Sequence, residues 1–187
     1  MVTVRLAAGQ FLFYTEEIPM NILIGNIISL AACTVMVLIG FIKNKQKIML
    51  AQCLQFTLHG IAHFVLGGIS GAIGCAVSLV RNVVFFKVKI TPALKIAFII
   101  LQVVLSIGAV SFNPVTWMPI LSVALFTWYL DTEDVIKLKW VMIATLVMWL
   151  IYDAYHLNFI SSAFDIFTIV STGYSIRQIK KENTENA

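Results

Sequence analysis

Three histidines and nine carboxylates are the groups in this 187-residue chain that could move a proton or hold a charged solute. Two of the histidines, His59 and His63, recur with Gln52 and Gln55 within about an 80° arc of a helix that turns 100° per residue. The third, His156, shares a face with Thr145, Trp149, Tyr152 and Asp153. Two more stripes keep the same period: Ser70, Gly74, Ser78 and Arg81, then Ser161, Asp165, Thr168, Thr172 and Ser175. Asp165 falls about six residues, ~9 Å, inside the outer end of its stripe, with His63 and His156 at similar depth. A carboxylate beside an imidazole either exchanges a proton near neutral pH or forms a static hydrogen-bonded pair, and both readings stand.

Nothing in the pattern is a reaction signature. HExxH, GxSxG, a phosphate-binding glycine loop and paired cysteines do not occur. Cys33, Cys53 and Cys75 sit in apolar runs without metal-ligand spacing and are small hydrophobes. The expectation is therefore no enzyme, no cofactor and no metal.

The elements that carry these stripes belong in lipid. Hydrophobic residues make up 60% of the chain and charged ones 12%, against roughly 25% charged in a soluble domain. Mean hydropathy is +0.93. Polar and turn residues divide the chain into seven spans, 20–42, 48–67, 69–88, 92–111, 114–130, 136–156 and 159–178, each near the ~20 residues that a bilayer requires. The breaks carry recognisable chemistry. Lys43 to Lys47 reads KNKQK, Gly67-Gly68 permits a tight reversal, Asp131 to Asp134 reads DTED, and Thr91-Pro92 and Asn113-Pro114 each place a capping residue before a helix-starting proline.

The net charge of +4 is a topology mark rather than a nucleic-acid footprint. With seven spans, twelve Lys and Arg fall at one membrane face and Arg5 alone at the other. The positive-inside rule then puts the amino terminus outside and the carboxyl terminus in the cytoplasm. Residues 1–19 are either an outside strap or a product of start-codon choice, with Met20 the alternative start. Arg81 and Lys95 read first as anchors snorkelling to cytoplasmic phosphates. Asp153 and His156 lie near the outer interface, and Trp117, Trp128, Tyr129 and Trp140 suit aromatic belts.

Ile69-Ser70-Gly71-Ala72 and Ile160-Ser161-Ser162-Ala163 lie 91 residues apart, and the same offset relates a charged turn, a span and a short reversal in each half. The plan is all-α: a three-helix repeat at 20–88, a linker helix at 89–112, a parallel three-helix repeat at 113–179 and a tail at 180–187. A three-plus-one-plus-three order lets both repeats start outside.

Several stretches carry a resemblance: MNILIGNIISLAACTVMVLIGFIKNKQKIMLAQ, HGIAHFVLGGISGA, SLVRN, NPVTWMPILSVALFTWYL and WLIYDAYHLNFISSAFD. From Met20 to about Lys181 the chain resembles the YgjV family of bacterial inner-membrane proteins, which itself is similar in fold to the SWEET and PQ-loop group. The resemblance implies an architecture more than an activity. SWEET-like proteins face their substrate with an asparagine in each of the third and seventh spans. Here Ser78 and Ser171 are nearest, with Asn82 one turn towards the cytoplasm, which speaks against a sugar. Hinge prolines are also reduced, since only Pro119 lies inside a span.

The polar faces serve either as interhelical glue or as the lining of a cavity between the repeats, and their extent favours the cavity. The expected function is a carrier of a small polar solute in the bacterial inner membrane, passive or proton-coupled, that works by alternating access. Gln55, His59, Ser78, Trp149, Thr168 and Ser171 would line its site, and Asp165, His63 and His156 would form the coupling or structural polar pair. The alternative is a receptor or assembly protein of the same fold that does not transport. The expected partners are the solute and the lipid bilayer, with no nucleic acid, and a homo-oligomer is compatible with the apolar exterior.

Overall fold

The computed structural model describes residues 19–39, 45–108 and 113–185. The expectations for the amino-terminal segment before Pro19 and for Lys43 and Asn44 of the basic turn lie outside the described residues. Among the described residues the chain is all-helical: α1 Met20–Ile39, α2 Lys45–Val65, α3 Ile69–Lys87, α4 Pro92–Ser106, a 3-10 turn Pro114–Trp117, α5 Met118–Tyr129, α6 Val135–Tyr155 and α7 Phe159–Glu185.

The starts follow the side chains named above. Thr91 Oγ1 accepts from Leu94 N at 3.3 Å, Asn113 Oδ1 from Val115 N at 3.0 Å, and Asp134 Oδ1 from both Ile136 N and Lys137 N at 2.9 and 3.0 Å. Each satisfies backbone N–H groups that a first helical turn leaves without partners. Pro119 falls in the first turn of α5, where a missing N–H costs nothing, so it is a helix starter rather than a hinge inside a span.

Three helical segments, Met20–Leu38, Ile69–Lys87 and Phe159–Lys181, are long and apolar enough to cross a membrane. Helices α2 and α6 have the length as well, 21 residues each. Helix α4 closes at Ser106 rather than 111 and covers about 22 Å at 1.5 Å per residue. At its foot Lys95 is buried rather than snorkelling: Nζ donates to Trp128 O at 3.0 Å and ion-pairs with Asp131. That ammonium holds the Asp131 carboxyl below its usual range by a direct hydrogen bond.

Six helices form a ring in the order α1, α2, α3, α5, α6, α7, which closes where α7 meets α1, and α4 lies outside it against α3 and α5. The two turns that end α2 and α6 are the same structure 90 residues apart. Gly68 N donates to His63 O at 2.7 Å and Asn158 N to Asp153 O at 2.9 Å; Leu66 N to Ala62 O and His156 N to Tyr152 O match likewise. Both turns pass through the left-handed region, at Gly67 (φ 78°) and at Leu157 (φ 59°). Glycine does this freely, whereas leucine is strained by roughly 1–2 kcal/mol. Asn26 of α1 supports the second turn: Nδ2 donates to Leu157 O at 2.9 Å and Oδ1 accepts from Ile160 N at 3.1 Å.

The register of the repeat is therefore 90, not 91. The four-residue likeness at Ile69 and Ile160 sits one residue out of frame, and the paired helix starts are Ile69 and Phe159. Across the ring, Tyr152 OH accepts from Gly71 N at 2.8 Å and from Ser70 Oγ at 3.2 Å, while a Cβ on Gly71 would meet the tyrosine ring at 2.5 Å. Tyr152→Phe leaves a buried N–H without a partner, at a cost of about 1–3 kcal/mol. It should lower the unfolding midpoint in detergent, and Gly71→Ala should lower it further. A Tyr152→Phe variant as stable as wild type would remove this joint from the fold.

Candidate functional site

A cavity of about 400 Å³ lies inside the ring. Its wall takes Met36 from α1; Gln52, Gln55, Phe56, His59 and His63 from α2; Cys75, Ser78 and Arg81 from α3. The facing wall takes Ser122, Val123 and Phe126 from α5; Met142, Thr145, Leu146, Trp149 and Asp153 from α6; and Asp165 and Thr168 from α7.

The two walls correspond at the register of the turns. Gln52 and Met142, Gln55 and Thr145, Phe56 and Leu146, His59 and Trp149, His63 and Asp153, Cys75 and Asp165, Ser78 and Thr168, and Met36 and Phe126 are all 90 residues apart.

At one end His63 and Asp153 meet, with Nδ1 3.4 Å from Oδ1 and both side chains buried. That is ion-pair reach, and it lies outside hydrogen-bond geometry. Asn158 Nδ2 donates to the same Asp153 oxygen at 3.2 Å. The His63 ring stacks on Trp149 at 5.3 Å and on His59 at 6.0 Å, and meets Tyr152 edge-on at 5.5 Å. At the other end Arg81, only 2% exposed, donates from Nη1 to Thr127 Oγ1 at 2.9 Å and from Nε and Nη2 to Asn82 Oδ1 at 3.4 and 3.3 Å. Asn82 Nδ2 in turn donates to Gln52 Oε1 at 3.0 Å.

Five of the six predicted lining residues, Gln55, His59, Ser78, Trp149 and Thr168, reach the cavity. Ser171 does not. It is exposed, its hydroxyl donates back to Thr168 O at 3.1 Å, and Thr172 takes the buried place beside it. One residue is 100° of helix, enough to turn a side chain from the ring interior to its exterior.

The expected partnership of Asp165 with His63 or His156 is also corrected. His63 is paired with Asp153, and His156 packs on the Tyr152 ring at 4.5 Å outside the cavity wall. Asp165 keeps its place in the cavity, where Oδ2 is buried without a hydrogen-bond partner. Asp153 is buried rather than interfacial, and Arg81 faces the cavity rather than the phosphates. Sequence reasoning lacked only the register: a repeat of 90 makes His63 and Asp153 equivalent and so places them face to face. Trp117, Trp128 and Trp140 are exposed, as a belt requires. Among the described residues no three His, Cys, Asp or Glu side chains converge to hold a metal.

The family model that matches this chain spans residues 23–183 and describes a bacterial inner membrane protein. The chain belongs to the YgjV family. No curated protein and no solved structure matches it. YgjV membership thus places a family of inner-membrane proteins around the polar cavity without naming what enters it.

The cavity wall can be tested residue by residue. With the three native cysteines replaced, Thr168→Cys should react with a charged, water-borne thiol reagent, and Ser171→Cys, on the outer face, should react roughly tenfold more slowly or not at all. Equal rates would refute the placement of the two residues.

Proposed function

We propose that the chain is a multi-pass carrier for a small polar solute. Seven helices cross the inner membrane as two parallel triplets joined by α4, a SWEET-like plan with the amino terminus outside and the carboxyl terminus in the cytoplasm. The observation that carries the reading is the cavity itself. It lies between the triplets, is lined by corresponding residues from both, and at about 400 Å³ falls in the range of small-molecule sites. A protein that needed only interhelical glue would bring these polar faces into direct contact.

Alternating access then means rocking one triplet against the other about the solute. The contacts that must open and re-form are those that cross the ring: His63 with Asp153, and Tyr152 with Ser70 and Gly71. Proton coupling is part of the proposal. Asp165 has a buried, unbonded carboxylate oxygen in the same cavity as the solute, and a charge held there within lipid is costly without a proton or a partner. Positive-inside charge, ten basic residues against one for this topology once the buried Arg81 and Lys95 are left out, supports the orientation.

The test is flux. Purified protein in liposomes with an internal pH dye and labelled pools of small polar metabolites should give solute-dependent pH change in wild type. Asp165→Asn should lower the coupled signal by about tenfold or more, the scale of losing a proton-transfer group, and His63→Ala should lower it as well. Folded wild type that binds a solute but moves neither solute nor proton would favour the receptor reading and reject the carrier.

A further inference from the structure

One charged group in the cavity has no counterpart. The residue 90 places after Arg81 is Ser171, which lies outside the cavity, so Arg81 breaks the correspondence that pairs most of the wall. Among the described residues it is a buried cation without an opposite charge, as Asp165 is a buried acid without one. The described ion pairs join His63 to Asp153 and Lys95 to Asp131, and the oxygens that accept from Arg81 are those of Thr127 and Asn82, both neutral. Of its five N–H donors, three are used, which leaves one on each terminal nitrogen. An uncompensated guanidinium with a free fork, 2% exposed and on the wall of a cavity, is an incomplete ion pair.

We infer that Arg81 is the counter-ion of a small solute bearing a carboxylate, an inference that rests on the reading of the cavity as a solute site. The planar guanidinium fork matches a carboxylate in shape and charge. The cavity favours a single negative charge over a phosphate dianion. It offers one guanidinium, and Asp165 on the facing wall repels further negative charge whenever it is ionised. Asn82 and Thr127 are positioning residues: they hold the guanidinium from two sides and leave its remaining donors to the solute. The Phe126 ring, 5.5 Å from the guanidinium carbon, adds a π face that an arginine tolerates better than a hydrated ammonium would.

The probes are shape-matched pairs that differ in charge: propionate and propionamide, lactate and lactamide, benzoate and benzamide. Thermal unfolding of the full chain in detergent should rise with at least one carboxylate, and its amide should act at least tenfold more weakly. Arg81→Lys keeps the charge and loses the fork, so the midpoint concentration should rise about tenfold. Asn82→Asp places an internal carboxylate where the guanidinium already donates. It should stabilise the unliganded protein and abolish the carboxylate response, which separates loss of binding from loss of folding. Amides as effective as carboxylates, an unchanged response in Asn82→Asp, or folded wild type indifferent to every carboxylate would each overturn the inference. Labelled lactate and labelled neutral solutes in liposomes separate it from the carrier reading. Carboxylate stabilisation without flux keeps the counter-ion and rejects the carrier. Flux of neutral solutes with no carboxylate response keeps the carrier and rejects the counter-ion.

Discussion

Lipid offers no hydrogen bonds, so every polar group in a chain this apolar must find its partner inside the protein. The buried contact between His63 of α2 and Asp153 of α6, 3.4 Å apart, sets two such groups against each other inside the ring. Those two helices are not neighbours in the ring, and they touch through long side chains rather than through backbone packing. Separating them by the length of two side chains is what keeps a cavity open between the halves. The same spacing lets Trp149, His59 and Tyr152 stack around the pair and exclude lipid from it.

Similar halves give a structure that is balanced but not identical. The turns at Gly67 and Leu157 share their hydrogen bonds, yet only one has a residue suited to its backbone, and Asn26 supports the other from α1. Along the cavity the correspondence is of position, not of chemistry: Cys75 answers Asp165, and His59 answers Trp149. The two sides of the cavity thus match in position at an offset of 90 residues and differ in chemistry at the matched positions. Arg81, whose counterpart points out of the ring, is the furthest such divergence.

Much of this was legible in the sequence. Composition fixed an all-helical membrane chain, and the period of Gln55, His59 and His63 fixed which face of α2 turns inward. Thr91, Asn113 and Asp134 marked helix starts because their side chains can do little else before an apolar run. What escaped were quantities of one residue. An offset of 91 in place of 90 hid the equivalence of His63 and Asp153. Ser171, one residue short of the buried Thr172, was placed on the wrong face. Arg81 was judged by its distance along the helix from the membrane face, whereas its direction around the helix decides that it meets Thr127 and Asn82. Depth can be counted along a chain, but facing requires a register, and a register requires the partner helix.

Across the ring, the contact of His63 with Asp153 joins α2 to α6 and fixes how the two corresponding stretches face each other. Exchanging the two side chains tests it most directly: His63→Asp, Asp153→His and the double exchange, each compared by thermal unfolding in the same detergent. The structure predicts that each single substitution lowers the midpoint, because two like groups then face each other, and that the double exchange recovers most of the loss. A double variant no more stable than the weaker single one would contradict the contact and, with it, the facing arrangement of α2 and α6.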